Sequence, residues 1–244
     1  ASNTKIVTTY AAMKYLGDSL VGLEYSLQDS VVVFRGSGDP SFLHPDYRRQ
    51  PVLDFLKAQQ RPLAITEAAF DDDRWGAGWS VSDIDASYAP ERSELPVYGN
   101  VVRVFRQNDS IRSIPSSLRS FVQVSPTTDW RISFERPSLN ENTFRTIPAS
   151  QPFSSQVIPF ITGNHMTAWV LLMDTLQKNI AFLPKAATEK FNWQKIYSRP
   201  TDSLLKPLMH RSDNFFAEQI LLMVSNKLLG FMNDAKIIDT LLKT

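Results

Sequence analysis

Apolar positions recur at helical spacing at the start of the chain. Ile6, Val7, Tyr10, Ala11 and Met13 share a broad stripe over residues 3–16, and Gly17 stands where a helix would stop. From about residue 21 to 160 the period shortens. The runs "SVVVFRG", "PLAITEAAF", "NVVRVFRQ", "SFVQVSP" and "DWRISFE" alternate or are β-branched, and Pro, Ser, Asn and Asp clusters separate them, which predicts short strands. Within that stretch only "PVLDFLKAQQ" has a convincing helical pattern. Helical spacing returns after about residue 163. "NHMTAWVLLMDTLQKN" predicts one amphipathic helix, and "TDSLLKPLMHRS" a shorter one interrupted by Pro207. "DNFFAEQILLMVSNKLLG" predicts a longer helix, capped near Asp213 or Asn214 and ended by Gly230. No internal repeat is present. The expected fold class is α+β and multi-domain, with a helical part made of residues 1–22 and 160–244 interrupted by an inserted β-rich region at 23–159.

Composition narrows the function classes. The 244 residues are 43% hydrophobic and 21% charged, as in an ordinary globular protein, and a net charge of +1 gives no electrostatic case for nucleic acid. The longest apolar candidate, "AWVLLMDTL", is cut by Asp174 and falls well short of the roughly 20 residues of a membrane helix. Without cysteine there are no disulfides or thiolate metal sites. His44, His165 and His210 lie far apart in sequence, so no metal and no cofactor is expected. The cluster Asp71, Asp72 and Asp73 reads as a solvated turn, and Trp75 and Trp79 as core or contact residues.

Two short patterns carry chemistry. Ser2 and Lys5 lie three apart on one helical face, so an ammonium can reach a hydroxyl held at a helix N-terminus, and such a lysine can serve as general base. Ser212-Asp213-Asn214 stands before a strongly apolar helix, where a hydroxyl can relay a proton and a carboxamide can both accept and donate. Each pattern alone also reads as ordinary helix capping.

Ser-x-x-Lys and Ser-Asp-Asn are two of the three active-site boxes of β-lactamases and penicillin-binding proteins. In this order and context "ASNTKIVTTYAAMKYLG" and "SDNFFAEQILL" resemble the first two boxes of D-alanyl-D-alanine carboxypeptidases of the penicillin-binding protein 4 type. "GSGDPSF" (36–42) resembles that family's Gly-x-Gly-Asp-Pro turn, and "FDDDRWGAGWSVSDIDASYAP" (70–90) its Asp-rich segment with Gly-Trp and aromatic-Ala-Pro. The wide separation of Ser2 and Ser212 also matches, whereas β-lactamases keep these boxes closer. Ser203 and Lys206 form a decoy, since Pro207 follows at once and Ser212 is too near for an intervening region.

The resemblance implies a penicillin-binding helical core with a β-rich insertion, and a serine carboxypeptidase, with possible endopeptidase activity, acting on peptidoglycan stem peptides in the periplasm. It implies Ser2 as nucleophile, Lys5 as base, Ser212 as proton relay and Asn214 as the residue orienting the substrate amide. Asp83 and Tyr88 match positions that form a pocket for the diamino-acid side chain of the stem peptide. β-Lactam antibiotics are the implied inhibitors. The third box, Lys-Thr-Gly, is absent, so the chain is expected to be part of a longer enzyme and inactive on its own if that box is required. The rival reading is a catalytically silent module that binds peptidoglycan or a partner protein.

Overall fold

The computed structural model describes residues 3–83, 85–126 and 129–243, with Val81 in its backbone only. In chain order the first elements are α1 (Thr4–Tyr15), β1 (Ser19–Leu27), β2 (Val32–Arg35), α2 (Pro51–Ala58) and β3 (Leu63–Thr66). Then come β4 (Val101–Gln107), β5 (Ser110–Ile114), β6 (Val122–Gln123), β7 (Ile132–Glu135), β8 (Phe144–Pro148) and β9 (Ser155–Pro159). The last are α3 (Met166–Leu176), β10 (Ile180–Leu183), β11 (Gln194–Pro200), α4 (Asp202–His210), α5 (Asn214–Leu229) and α6 (Asp234–Leu241). Each of the five predicted strand runs contains a strand, and the five predicted helices all form.

Local chemistry explains the helix ends. Asp213 caps α5, its Oδ1 accepting from the Phe216 amide at 3.0 Å, and Gly230 leaves the helix at φ +79°. Pro207 lies inside α4, where it cannot donate to the carbonyl of Ser203 four residues earlier. The Tyr47 hydroxyl takes that carbonyl instead, at 2.8 Å.

The strands form three sheets. A five-stranded sheet runs β10-β3-β2-β1-β11, with β3 parallel to both neighbours and β1 antiparallel to both of its own. Two three-stranded sheets, β5-β4-β9 and β6-β8-β7, come from the middle of the chain. One continuous apolar cluster packs all three with α2 and α3, through residues such as Leu23, Phe34, Ile65, Val104, Phe134, Phe144 and Leu172. The other helices form their own clusters, with Ala12, Leu20, Leu208, Phe216 and Ile220 in one and Ala11, Val224 and Ile237 in another.

These groupings do not coincide with the expected limits of the insertion, 23–159. Residue 23 falls inside β1, and α3, β10 and β11 belong with the strands before residue 66. Short strands set among helical patterns carry little periodicity of their own, and their partners lie more than 100 residues away.

The helix α1 is also turned. Ile6, Val7, Tyr10 and Met13 are each more than half exposed, while Lys5, Ala11 and Ala12 are buried. Its small-residue side lies against α5, where two alanines let the helix axes come close.

A run of four buried polar residues, Glu91-Arg92-Ser93-Glu94, joins the helical and sheet parts. Gln219 of α5 accepts from the Ser93 amide at 3.0 Å and donates to the carbonyls of Gly38 and Ser93. Glu94 accepts from the Ala68 amide at 2.9 Å, and its other oxygen lies 2.8 Å from His165 Nδ1. Gly36 makes this docking possible: a Cβ there would stand 2.0 Å from the Glu94 carbonyl oxygen. Three residues on, buried Asp39 accepts from the Ser41 amide and from the Ser198 hydroxyl, and burial pushes its carboxyl above the usual range.

Candidate active site

The N-terminus of α5 and the first turn of α1 meet on one side of the helical part. Lys5 is 9% exposed, and its Nζ donates to Asn214 Oδ1 at 2.6 Å across 209 residues of sequence. A bond this short gives the buried Lys5 nitrogen a polar partner, as burial of such a group requires. Ser212 stands two residues before Asn214 with φ +55°, a left-handed conformation that costs a non-glycine residue about 1–2 kcal/mol. Capping requires Asp213 to turn its carboxylate into the helix, which sets Ser212 and Asn214 on either side of it. Burial raises the Asp213 carboxyl, and the bond from the Phe216 amide opposes that shift.

Lys5, Ser212 and Asn214 all line a cleft of about 750 Å³ between α1, α5, α6 and the loop 76–79. Val7, Leu221, Ile238 and Leu242 supply its apolar lining, and Arg92, Glu218 and Asp234 its charged lining. Ser2, the expected nucleophile, lies outside the described residues. Among the described residues there is no cluster of His, Cys, Asp and Glu suited to a metal ion, and no helix is long and apolar enough to cross a membrane.

Asp83 and Tyr88 touch each other. The Tyr88 hydroxyl donates to Asp83 Oδ1 at 3.0 Å, which raises the phenol, while Asp83 Oδ2 accepts from the Ser80 amide at 3.3 Å. The pair reaches the rest of the site through backbone: Asn214 Nδ2 donates to the Tyr88 carbonyl at 3.5 Å. Asn214 therefore faces Lys5 with its oxygen and the turn at Tyr88 with its nitrogen.

Sequence reasoning missed the ionic group beneath this surface. Arg92 is 1% exposed and pairs with Asp72 Oδ1 at 2.9 Å, Asp234 Oδ2 at 2.6 Å and Glu218 Oε2 at 3.7 Å. Asp72 is thus an anchor and not part of a solvated turn, and it also accepts from the Asp234 amide at 2.7 Å. Glu218 lies four residues after Asn214, so both project from one face of α5, and that i,i+4 spacing is the one signal that could have found it. Nothing in the sequence singles out Arg92, because its partners are scattered over more than 160 residues.

No family model and no curated protein matches this sequence. Solved structures do. The crystal structure of penicillin-binding protein 4 from Haemophilus influenzae superposes with a TM-score of 0.71 at 16% identity, over 100% of this chain and 61% of that one. The same protein complexed with a novel β-lactam gives a TM-score of 0.60 at 15% identity, over 100% and 60%. The chain therefore spans about three-fifths of the length of the structures it matches. Its fold is the α+β fold of the penicillin-binding protein 4 type.

Proposed function

We propose that this chain carries part of a serine-type D-alanyl-D-alanine carboxypeptidase, with endopeptidase activity possible on cross-linked substrate. The observation that carries the reading is the Lys5–Asn214 bond of 2.6 Å, which joins the two expected boxes at one cleft beside Ser212. A fold shared with penicillin-binding protein 4 supports it.

In this reading Ser2 Oγ attacks the carbonyl of the penultimate D-alanine of a peptidoglycan stem peptide while Lys5 takes its proton. Ser212 passes a proton to the departing amine of the terminal D-alanine, and water then releases the acyl group from Ser2. Asn214 holds Lys5 through its oxygen and the Tyr88 carbonyl through one amide hydrogen, leaving the other to meet the substrate carbonyl. Asp83 and Tyr88 receive the side-chain ammonium of the stem peptide, since each carboxylate oxygen of Asp83 keeps an unused lone pair beside an aromatic wall. The substrate places the protein in the periplasm, and β-lactams acylate the same serine.

Intact mass after incubation with benzylpenicillin tests the reading, on this chain and on the product of its complete reading frame. The expected result is a stoichiometric adduct that Ser2→Ala abolishes. No adduct on either protein would overturn it in favour of a silent module that binds peptidoglycan or a partner protein.

A further inference from the structure

The chemistry above leaves Glu218, a half-buried carboxylate of the cleft wall, unused. Glu218 projects from α5 one turn after Asn214, and its Oε1 accepts from Trp79 Nε1 at 2.7 Å. The Gly76 backbone packs beside the same carboxylate, where a Cβ would stand 3.5 Å from its atoms, and its other oxygen faces buried Arg92 at 3.7 Å. Trp79 in turn stacks on Tyr88, with centroids 6.0 Å apart and planes at 28°, and Tyr88 holds Asp83. An unbroken line of contacts thus runs from Arg92 through Glu218, Trp79 and Tyr88 to Asp83.

We infer that Glu218 is a positioning residue, which fixes the loop 76–88 on α5 so that Asp83 stands at a set distance from the Lys5–Asn214 pair. The inference rests on the functional reading above for what Asp83 binds, but the clamp itself rests on geometry alone. One carboxylate bonds Trp79 and packs against Gly76, so the loop is held on α5 while Tyr88 remains 54% exposed. A half-buried carboxylate beside a buried arginine is a stiffer anchor than a fully exposed contact, because solvent screens it less. The consequence is selectivity: a loop that drifts keeps the Ser2 chemistry but loses register with the side-chain ammonium.

The test compares two D-alanyl-D-alanine peptides on the full-length protein, one with a free lysine ammonium and one with that amine acetylated. The ratio of their kcat/KM values isolates the Asp83 subsite from general damage. Glu218→Ala and Trp79→Phe are expected to lower the ratio about tenfold, the size of one lost hydrogen bond to a charged group. Glu218→Gln, which keeps an acceptor for the indole, is expected to recover most of it. An unchanged ratio in both disrupting variants, or an equal fall in Glu218→Gln, overturns the inference. Should the unmutated protein cleave neither peptide, the functional reading fails while the clamp stays decidable. Amide hydrogen exchange over 76–88 then rises in Glu218→Ala and not in Glu218→Gln if the clamp holds the loop, and is the same in both if it does not.

Discussion

Lys5 brings a long polar side chain to the first turn of a helix, and into a place with little water. Its stability there depends on Asn214, so the two residues respond differently to replacement. Lys5→Met removes the buried charge and keeps the bulk; folding stability is expected to hold or rise slightly, while acylation by benzylpenicillin falls about 10²–10⁴-fold. Asn214→Ala leaves the ammonium without its acceptor and is expected to cost about 1–3 kcal/mol in urea denaturation, with acylation lost as well. Equal stability losses in the two variants would contradict this account. The two boxes themselves were legible because each is a local spacing, three residues for Ser2 and Lys5 and two for Ser212 and Asn214. Glu218 and Arg92 were not, because their meaning lies in partners brought from elsewhere.

A second residue carries a pH dependence. His44 packs against Phe216 and Tyr47, and its Nδ1 accepts from the Asp46 amide at 3.2 Å, as a neutral imidazole does. Burial lowers it to about 4; Asp46 opposes that shift, and Arg211, Arg199 and Arg103 add to it. Because the folded value lies below the unfolded one, the unfolded chain binds the extra proton between about pH 6.5 and about pH 4. Stability from this residue is complete above the unfolded value and declines as pH falls through that window, by roughly 3 kcal/mol at most. The buried carboxyls with raised values, Asp39 and Glu218 among them, titrate with the opposite sign, so the test is differential. His44→Phe should flatten the slope of urea stability against pH between 6.5 and 4 relative to the unmutated chain.

Among the elements, α1 shows what periodicity does and does not convey. The spacing of Ile6, Tyr10 and Met13 identifies a helix and a face, but not which face is covered. The neighbouring helix selects the side where Ala11 and Ala12 permit close approach. Strands β10 and β11 were unreadable for another reason. β10 has four residues, and "QKIYSRP" in β11 mixes polar and charged positions on an edge strand. The segment 91–94 was unreadable because four polar residues in a row look solvated, yet each is buried by a partner supplied from a different element. Arg92→Leu would leave Asp72, Glu218 and Asp234 facing one another without their common cation. A loss of about 3–5 kcal/mol is expected from thermal or urea unfolding, the usual effect of removing one member of a buried ionic group. A change below 1 kcal/mol would mean these carboxylates are neutral in the fold.

At the scale of the whole molecule, the helical part is assembled from residues 4–16 and 202–241, with everything between returning the chain to its start. That arrangement was legible in outline, since a helix, a β-rich block and further helices can close only if the ends meet. The limits were not, because sheet membership is decided by pairing and not by local pattern. The 209-residue span of the Lys5–Asn214 bond has a kinetic consequence. Contacts of such high sequence separation form late, since the entropy of closing the loop must be met before they stabilise anything. Lys5 is among the first residues of this chain, yet its partner Asn214 comes to it only once the strands between have paired. The cleft is therefore a report on completed folding: a half-folded chain holds the right residues and lacks the geometry that would make one of them reactive.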